Sequence, residues 1–144
     1  MPDIRGLGNV APVARDAAEQ IASKFGVYNI GGFATAGHIP GSDHYTGHAI
    51  DVMVYKDKAK GDMIAQWVMS NWDALGVKYV IWYRTYYPAP GKTQPYAGTS
   101  PHTDHVHISF KNVKGGGATT DPGSTEDLSG REGCLDIFKQ LLGL

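Results

Sequence analysis

The chain has 144 residues with 42% apolar content, the size and composition of a single packed domain. Thirteen Lys and Arg against fourteen Asp and Glu leave a formal charge of −1, so no basic excess exists to neutralise a phosphate backbone, which argues against general nucleic-acid binding. The lone Cys134 excludes an intramolecular disulfide framework and any multi-cysteine zinc cluster. In chain order, Pro12 suits a first helical turn, and Val13, Ala17, Ile21 and Phe25 follow at helical spacing up to Gly26, which predicts a helix over 12–25. Tyr28 to Phe33 is a short β-prone run, and the turn-rich segment Gly37 to Gly47 follows it as a loop. From His48 to Val54 the residues alternate: Ile50, Val52 and Val54 share one face, Asp51 and Met53 the other. Asp57 or Asp62 can cap a second helix reaching about Trp72, with Ile64, Trp67, Val68 and Trp72 on one side. Val77 to Tyr83 is a continuous apolar run and reads as a buried central strand. A glycine- and proline-rich loop is expected from Tyr87 to Pro101, before a second alternating strand over His105 to Phe110.

After Lys114 the composition shifts to GGGATTDPGSTEDLSG, which has almost no large apolar residue. The expected organisation is a domain over 1–114, a linker over 115–130 and a short amphipathic tail helix over 131–144 built on Leu135, Phe138 and Leu142. No run of about 18 apolar residues offers a membrane span, and the opening MPDIRGLGNVAPVARD has no apolar core of a signal peptide. If the substrate lies outside the cytoplasm, delivery is therefore expected by another route or from a longer parent protein of which this chain is one piece.

All six histidines fall in two windows, His38, His44 and His48 in the first and His102, His105 and His107 in the second. Zinc takes imidazole nitrogen and carboxylate oxygen in a tetrahedron, and a catalytic site keeps three protein ligands with one position open. His44, Asp51 and His107 supply two imidazoles and one carboxylate. Residues two apart on a strand face the same way, so His105 stands beside a metal held by His107. A strand that gives alternate positions to imidazole loses β-packing residues for no structural gain. Asp104, three before His107, is expected to point away. His38 and His48 read as ordinary loop and strand-edge residues. The aromatic segment Trp82 to Tyr87 can line a cleft or simply end a buried strand, and Arg84 can grip a substrate carboxylate or form a surface ion pair.

The pattern Ser42-x-His44-x-x-Gly47-x-Ala49-x-Asp51 followed by a late H-x-H resembles the zinc peptidases that include the lysostaphin-type endopeptidases, the D-Ala-D-Ala carboxypeptidases and the penicillin-insensitive murein endopeptidases. It is most similar to the cell-wall peptidase and endolysin domains of actinobacteria and their phages, over roughly residues 10 to 112. The resemblance implies His44, Asp51 and His107 as zinc ligands, His105 at the position of the catalytic histidine, and His102 as a further active-site histidine of the murein endopeptidase branch. In the carboxypeptidase branch a Glu three before the last ligand is the base; Asp104 stands there, a shorter carboxylate, which favours His105. Gly47 and Ala49 fit as small residues between the first two ligands. Tyr83 and Arg84 are the candidate substrate contacts.

The implied activity is zinc-dependent hydrolysis of peptide bonds in peptidoglycan stems or cross-links, by an endopeptidase or carboxypeptidase such as a phage endolysin or tail-associated lysin. The implied partner is the cell-wall peptide, with no nucleic acid, and the protein is expected to be a monomer or a module of a larger chain. The alternative is a non-catalytic zinc-binding module for cell-wall recognition, as hedgehog-type relatives suggest; a metal-dependent nuclease lacks the basic surface it needs. The fold class expected is α+β, a small, mostly antiparallel sheet carrying the zinc site on one face with helices packed on the other.

Overall fold

Pro12 opens helix α1 (Pro12–Phe25), where its missing N–H costs nothing, and Gly26 closes it in the left-handed conformation (φ +70°) with its N–H donating to the Ala22 carbonyl. The face it buries is Val13, Ala14, Ala17, Ala18, Ile21 and Ala22, a stripe dominated by alanines that lets the helix axis come close to a sheet. These contacts are seen in a computed structural model that describes residues 4–98 and 100–111; the linker and tail expected over 115–130 and 131–144 lie outside the described residues.

The sheet has six strands, β1 (Ile30–Gly31), β2 (Ala49–Met53), β3 (Val77–Trp82), β4 (Thr85–Ala89), β5 (Lys92–Pro95) and β6 (His105–Phe110). Their spatial order is β1-β2-β6-β3-β4-β5, and every pairing is antiparallel. The class is α+β as expected. Helix α2 (Lys58–Ser70) packs on β3 and β6, and α1 packs on β2 and β6. Of the two candidate caps it is Asp57 whose carboxylate accepts from the Lys60 N–H, at 3.0 Å. Asp62 lies one turn inside, where it pairs with Lys58 and accepts from the Trp82 indole N–H at 2.9 Å. The helix stops at Ser70, and Trp72–Leu75 forms a separate short turn, α3, closed by Gly76 at φ +72°.

Ile50, Val52, Val80, Val106, Ile108 and Phe110 point from the sheet into one apolar core with the helices. Their alternates Ala49, Asp51 and Met53 on β2, His105, His107 and Ser109 on β6, and Tyr79 and Ile81 on β3 therefore occupy the other face. Two strands that interleave apolar residues with histidines and a carboxylate thus keep the core and these polar groups on opposite faces.

Two expectations are corrected. The β-prone run Tyr28 to Phe33 contributes only Ile30–Gly31 to the sheet, because the N-terminal segment supplies the pairing beyond it through hydrogen bonds between residues 5–7 and 28–33. The segment from Tyr87 to Pro101 is not all loop: it holds the end of β4 and all of β5. The Pro90-Gly91 pair makes the tight turn between them, with Gly91 at φ +78°. Pro88 is accommodated because the β4–β5 register shifts between Tyr86 and Ala89.

Gly61 sits where α2 crosses Trp82, and a Cβ there would lie 2.2 Å from two atoms of the indole ring. Ala is the better helix former by about 0.5–1 kcal/mol, but overpacking of this kind costs about 1–3 kcal/mol. Gly61→Ala is therefore expected to destabilise the fold by a net 1–2 kcal/mol or so, read as a lowered denaturation midpoint at unchanged slope. A rise in the midpoint would place Trp82 elsewhere.

Candidate metal centre

Asp51 and His107 are direct cross-strand partners in the β2–β6 ladder, although 56 residues separate them in the chain. The Asp51 Oδ1 lies 2.9 Å from His107 Nδ1, and its Oδ2 lies 3.2 Å from His44 Nε2. His44 arrives on a 3-10 turn, Asp43–Thr46, whose N-terminus is capped by Ser42: its Oγ accepts from the His44 N–H. Gly47 ends the turn at φ +76°, and a Cβ there would come within 3.1 Å of the backbone before α1. The Ser and Gly of the motif are thus required by the local backbone, and the turn they make aims the imidazole at β2.

The ligating atoms of His44, Asp51 and His107 all lie within 4.8 Å of one another, so the three can hold a metal ion. A tetrahedral ion with bonds of about 2.0–2.2 Å needs its ligand atoms about 3.3–3.6 Å apart, so the side chains, at 2.9 and 3.2 Å from the two Asp51 oxygens, would open by a few tenths of an ångström to admit one. The donor chemistry makes the stronger case. His44 Nδ1 lies 2.8 Å from the Gly32 carbonyl, which only accepts, so the proton must sit on Nδ1. Neutral His44 then turns the lone pair of Nε2 toward a carboxylate oxygen, an arrangement of two acceptors that requires a cation between them or a proton on the ring. Burial works against that proton, but the hydrogen bond and charge of Asp51 outweigh burial and raise the His44 pKa above its ordinary value. Burial likewise opposes ionisation of Asp51, and the hydrogen bonds from His107 and His44 overcome it, holding the carboxyl well below the usual range.

A proton on His44 therefore competes with a metal, whereas Asp51 stays ionised throughout. Metal affinity is expected to fall as pH drops through a His44 pKa above 6.5, by about tenfold per pH unit below it. Titration with zinc at pH 5.5, 6.5 and 7.5 checks this, and an affinity flat over that range would remove His44 from the ligand set.

His105 shares the face of His107, with Nε2 3.7 Å from Asp51 Oδ1. Its other nitrogen, Nδ1, donates to Asp104 Oδ1 at 2.7 Å. Asp104 precedes β6, is largely exposed, and turns away from the ligand set onto the back of His105. His102 lies beside it, ring centroids 4.6 Å apart, with Nδ1 donating to the Ser100 carbonyl at 2.7 Å. Burial, then the neighbouring His105, push its pKa down to about 4, so it is neutral at physiological pH.

The substrate candidates are placed differently. Tyr83 and Arg84, at φ +50° and +63°, form the two-residue turn joining β3 to β4, the hairpin geometry in which both central residues are left-handed. Their N–H groups donate to the carbonyls of His102 and Pro101, so the backbone of this pair holds the His102 segment in place. The Tyr83 ring packs on Trp82 and under the Lys58 ammonium rather than on the imidazole cluster, and Arg84 is exposed. The rings that do flank it are Tyr79, stacked on His107 at 5.6 Å, Tyr86 against Tyr79, and Tyr96 against His102. His38, read from sequence as an ordinary loop residue, stacks on His44 at 4.1 Å, and the Tyr45 hydroxyl grips its backbone by donating to the His38 carbonyl and accepting from its N–H. No spacing pattern marks it; only the folded loop brings it there. His48 stays apart, its Nδ1 donating to the Thr46 carbonyl. Five of the six histidines thus gather on one face.

The chain matches the protein family described as VldE, C-terminal domain, over residues 6–107. It belongs to that family. The matched stretch contains both histidine windows and ends on the third candidate ligand. No curated protein and no solved structure matches the chain. Among the described residues no helix is long and apolar enough to cross a membrane.

Proposed function

We propose that the protein is a zinc metallopeptidase that hydrolyses peptide bonds of bacterial peptidoglycan. The observation that carries this reading is the Asp104–His105 pair: a carboxylate fixes one ring nitrogen of a histidine whose other nitrogen faces the His44–Asp51–His107 group. A site that only held a metal would have no use for an oriented imidazole outside the ligand set. The donor set suits zinc, which accepts two imidazoles and a carboxylate and leaves a fourth position open. Held there, zinc would supply Lewis acidity toward a substrate carbonyl and toward water.

The chain's own groups supply the proton handling. With Nδ1–H committed to Asp104, neutral His105 presents the lone pair of Nε2 and takes a proton from the attacking water. Asp104 stabilises the imidazolium so formed, which then donates to the leaving amine. Neutral His102, with Nδ1–H committed to Ser100, presents an acceptor beside it, suited to hold a proton-bearing group of the water or the amine. His38, Tyr79 and Tyr96 pack against the cluster and offer apolar ring surface to a peptide laid over it. The choice of peptidoglycan rests on the S-x-H-x-x-G-x-A-x-D motif and its resemblance to cell-wall peptidases.

Incubation of purified peptidoglycan with the zinc-loaded protein is expected to release new amino termini, identified by mass spectrometry of the muropeptides, and a chelator should stop the release. Stoichiometric zinc binding with no cleavage of any peptidoglycan would leave a zinc-binding recognition module in its place.

A further inference from the structure

Among the described residues, the buried polar side chains are His44, His107 and Ser109. Two belong to the candidate ligand set, and the third is fully buried on β6, between Ala49 of β2 and Tyr79 of β3 in the ladder. A strand position of this kind favours a β-branched or aromatic residue, so a serine there asks for a polar reason. Its Oγ lies 2.9 Å from His107 Nε2.

The two ligand imidazoles are backed in chemically different ways. Behind His44 stands the Gly32 carbonyl, which can only accept and fixes one tautomer. Behind His107 stands a hydroxyl, which accepts or donates by rotating its proton. His107 needs both. Without a metal, its Nδ1 faces the Asp51 carboxylate at 2.9 Å and must carry the proton, so Nε2 is an acceptor and Ser109 donates to it. As a ligand through Nδ1 the ring must free that lone pair, its proton then sits on Nε2, and Ser109 accepts. Each arrangement pairs both ring nitrogens of His107, and when the serine accepts, its own proton turns to the Tyr79 hydroxyl, its other hydrogen-bond partner.

We infer that Ser109 is a positioning residue whose hydroxyl reverses its hydrogen bond and so lets His107 exchange tautomers when a metal enters. The inference rests on His44, Asp51 and His107 being a metal centre. A partner able to work in one sense only would leave a buried ring nitrogen unsatisfied in one of the two states, at a cost carried into the affinity.

The test uses the full chain with histidine ring nitrogens labelled with nitrogen-15. In long-range nitrogen–proton spectra, His107 of the wild-type protein is expected to carry its proton on Nδ1 without zinc and on Nε2 with zinc, while His44 keeps its Nδ1 proton in the zinc form. Ser109→Ala is expected to bind zinc about 10- to 100-fold more weakly, the range seen when an outer partner of a metal-bound histidine is lost. A wild-type His107 holding the same tautomer in both states overturns the inference without any variant. Equal zinc affinity in wild type and in a folded Ser109→Ala overturns it while leaving the metal centre intact. Absence of zinc binding by the wild type overturns the centre and the inference together.

Discussion

Asp51→Asn is expected to fold and to lose stoichiometric zinc binding at micromolar protein. The carboxylate stands between two imidazoles, 3.2 Å from His44 Nε2 and 2.9 Å from His107 Nδ1. Asparagine keeps the shape and can still accept from one ring and donate to the other, so the apolar core on the opposite face of β2 has no reason to move. What it lacks is the charge that offsets a divalent ion. Removing the charged partner from a buried ion pair costs about 3–5 kcal/mol, which corresponds to roughly 10²- to 10⁴-fold in affinity. Calorimetric titration gives the affinity, and the thermal unfolding curve shows that the variant is folded. Asp51→Ala is the harsher change, since it leaves both rings without a partner and should lower stability as well. An Asp51→Asn protein that bound zinc within threefold of the wild type would place the metal elsewhere.

His105→Ala is expected to keep zinc and lose peptidoglycan hydrolysis by about 10²- to 10⁴-fold, the usual range for a general acid–base group. The ring lies beside the ligand group, not within it, and its Nε2 is 3.7 Å from the nearest Asp51 oxygen. Asp104→Asn should have a smaller effect, because the residue acts through His105 and its carboxylate is largely exposed and screened by solvent. The double variant should be no worse than His105→Ala alone, since Asp104 has nothing to orient once the ring is gone. Activity unchanged in His105→Ala but abolished in Asp104→Asn would transfer the base to the carboxylate. Loss of zinc from His105→Ala would make it a ligand.

The ends of α1 were legible because each is written locally: Pro12 at the start, Gly26 at the stop, and an apolar stripe between them. β2 and β6 were legible because alternation is a local pattern, and the two faces it defines are the core and the ligand face of the folded sheet. The hairpin of β4 and β5 was not, because proline and glycine mark both a long loop and a tight turn between short strands; pairing with β3 decides between them. His38 carries no signal of its own. It joins the cluster only because the chain from Gly37 to Gly41 folds back over His44. The expectation that Asp104 turns away from the ligands describes its place, but not that the turn would carry it onto His105 Nδ1.

The residue types and their spacing already determined the kind of chemistry: two imidazole windows, a carboxylate on an alternating strand, and no cysteine pair or basic excess to suggest another use. The tertiary structure decided the geometry. Asp51 meets His107 because β2 and β6 pair in one antiparallel register, and a slip of one residue would send either side chain into the core. That register is set by burial of Ile50, Val52, Val106 and Ile108 against α1 and α2, contacts between segments distant in the chain. The partners behind the rings, Gly32, Ser109 and Asp104, follow from the same packing, which is why a list of histidines could name the candidate ligands but not say which nitrogen each would offer.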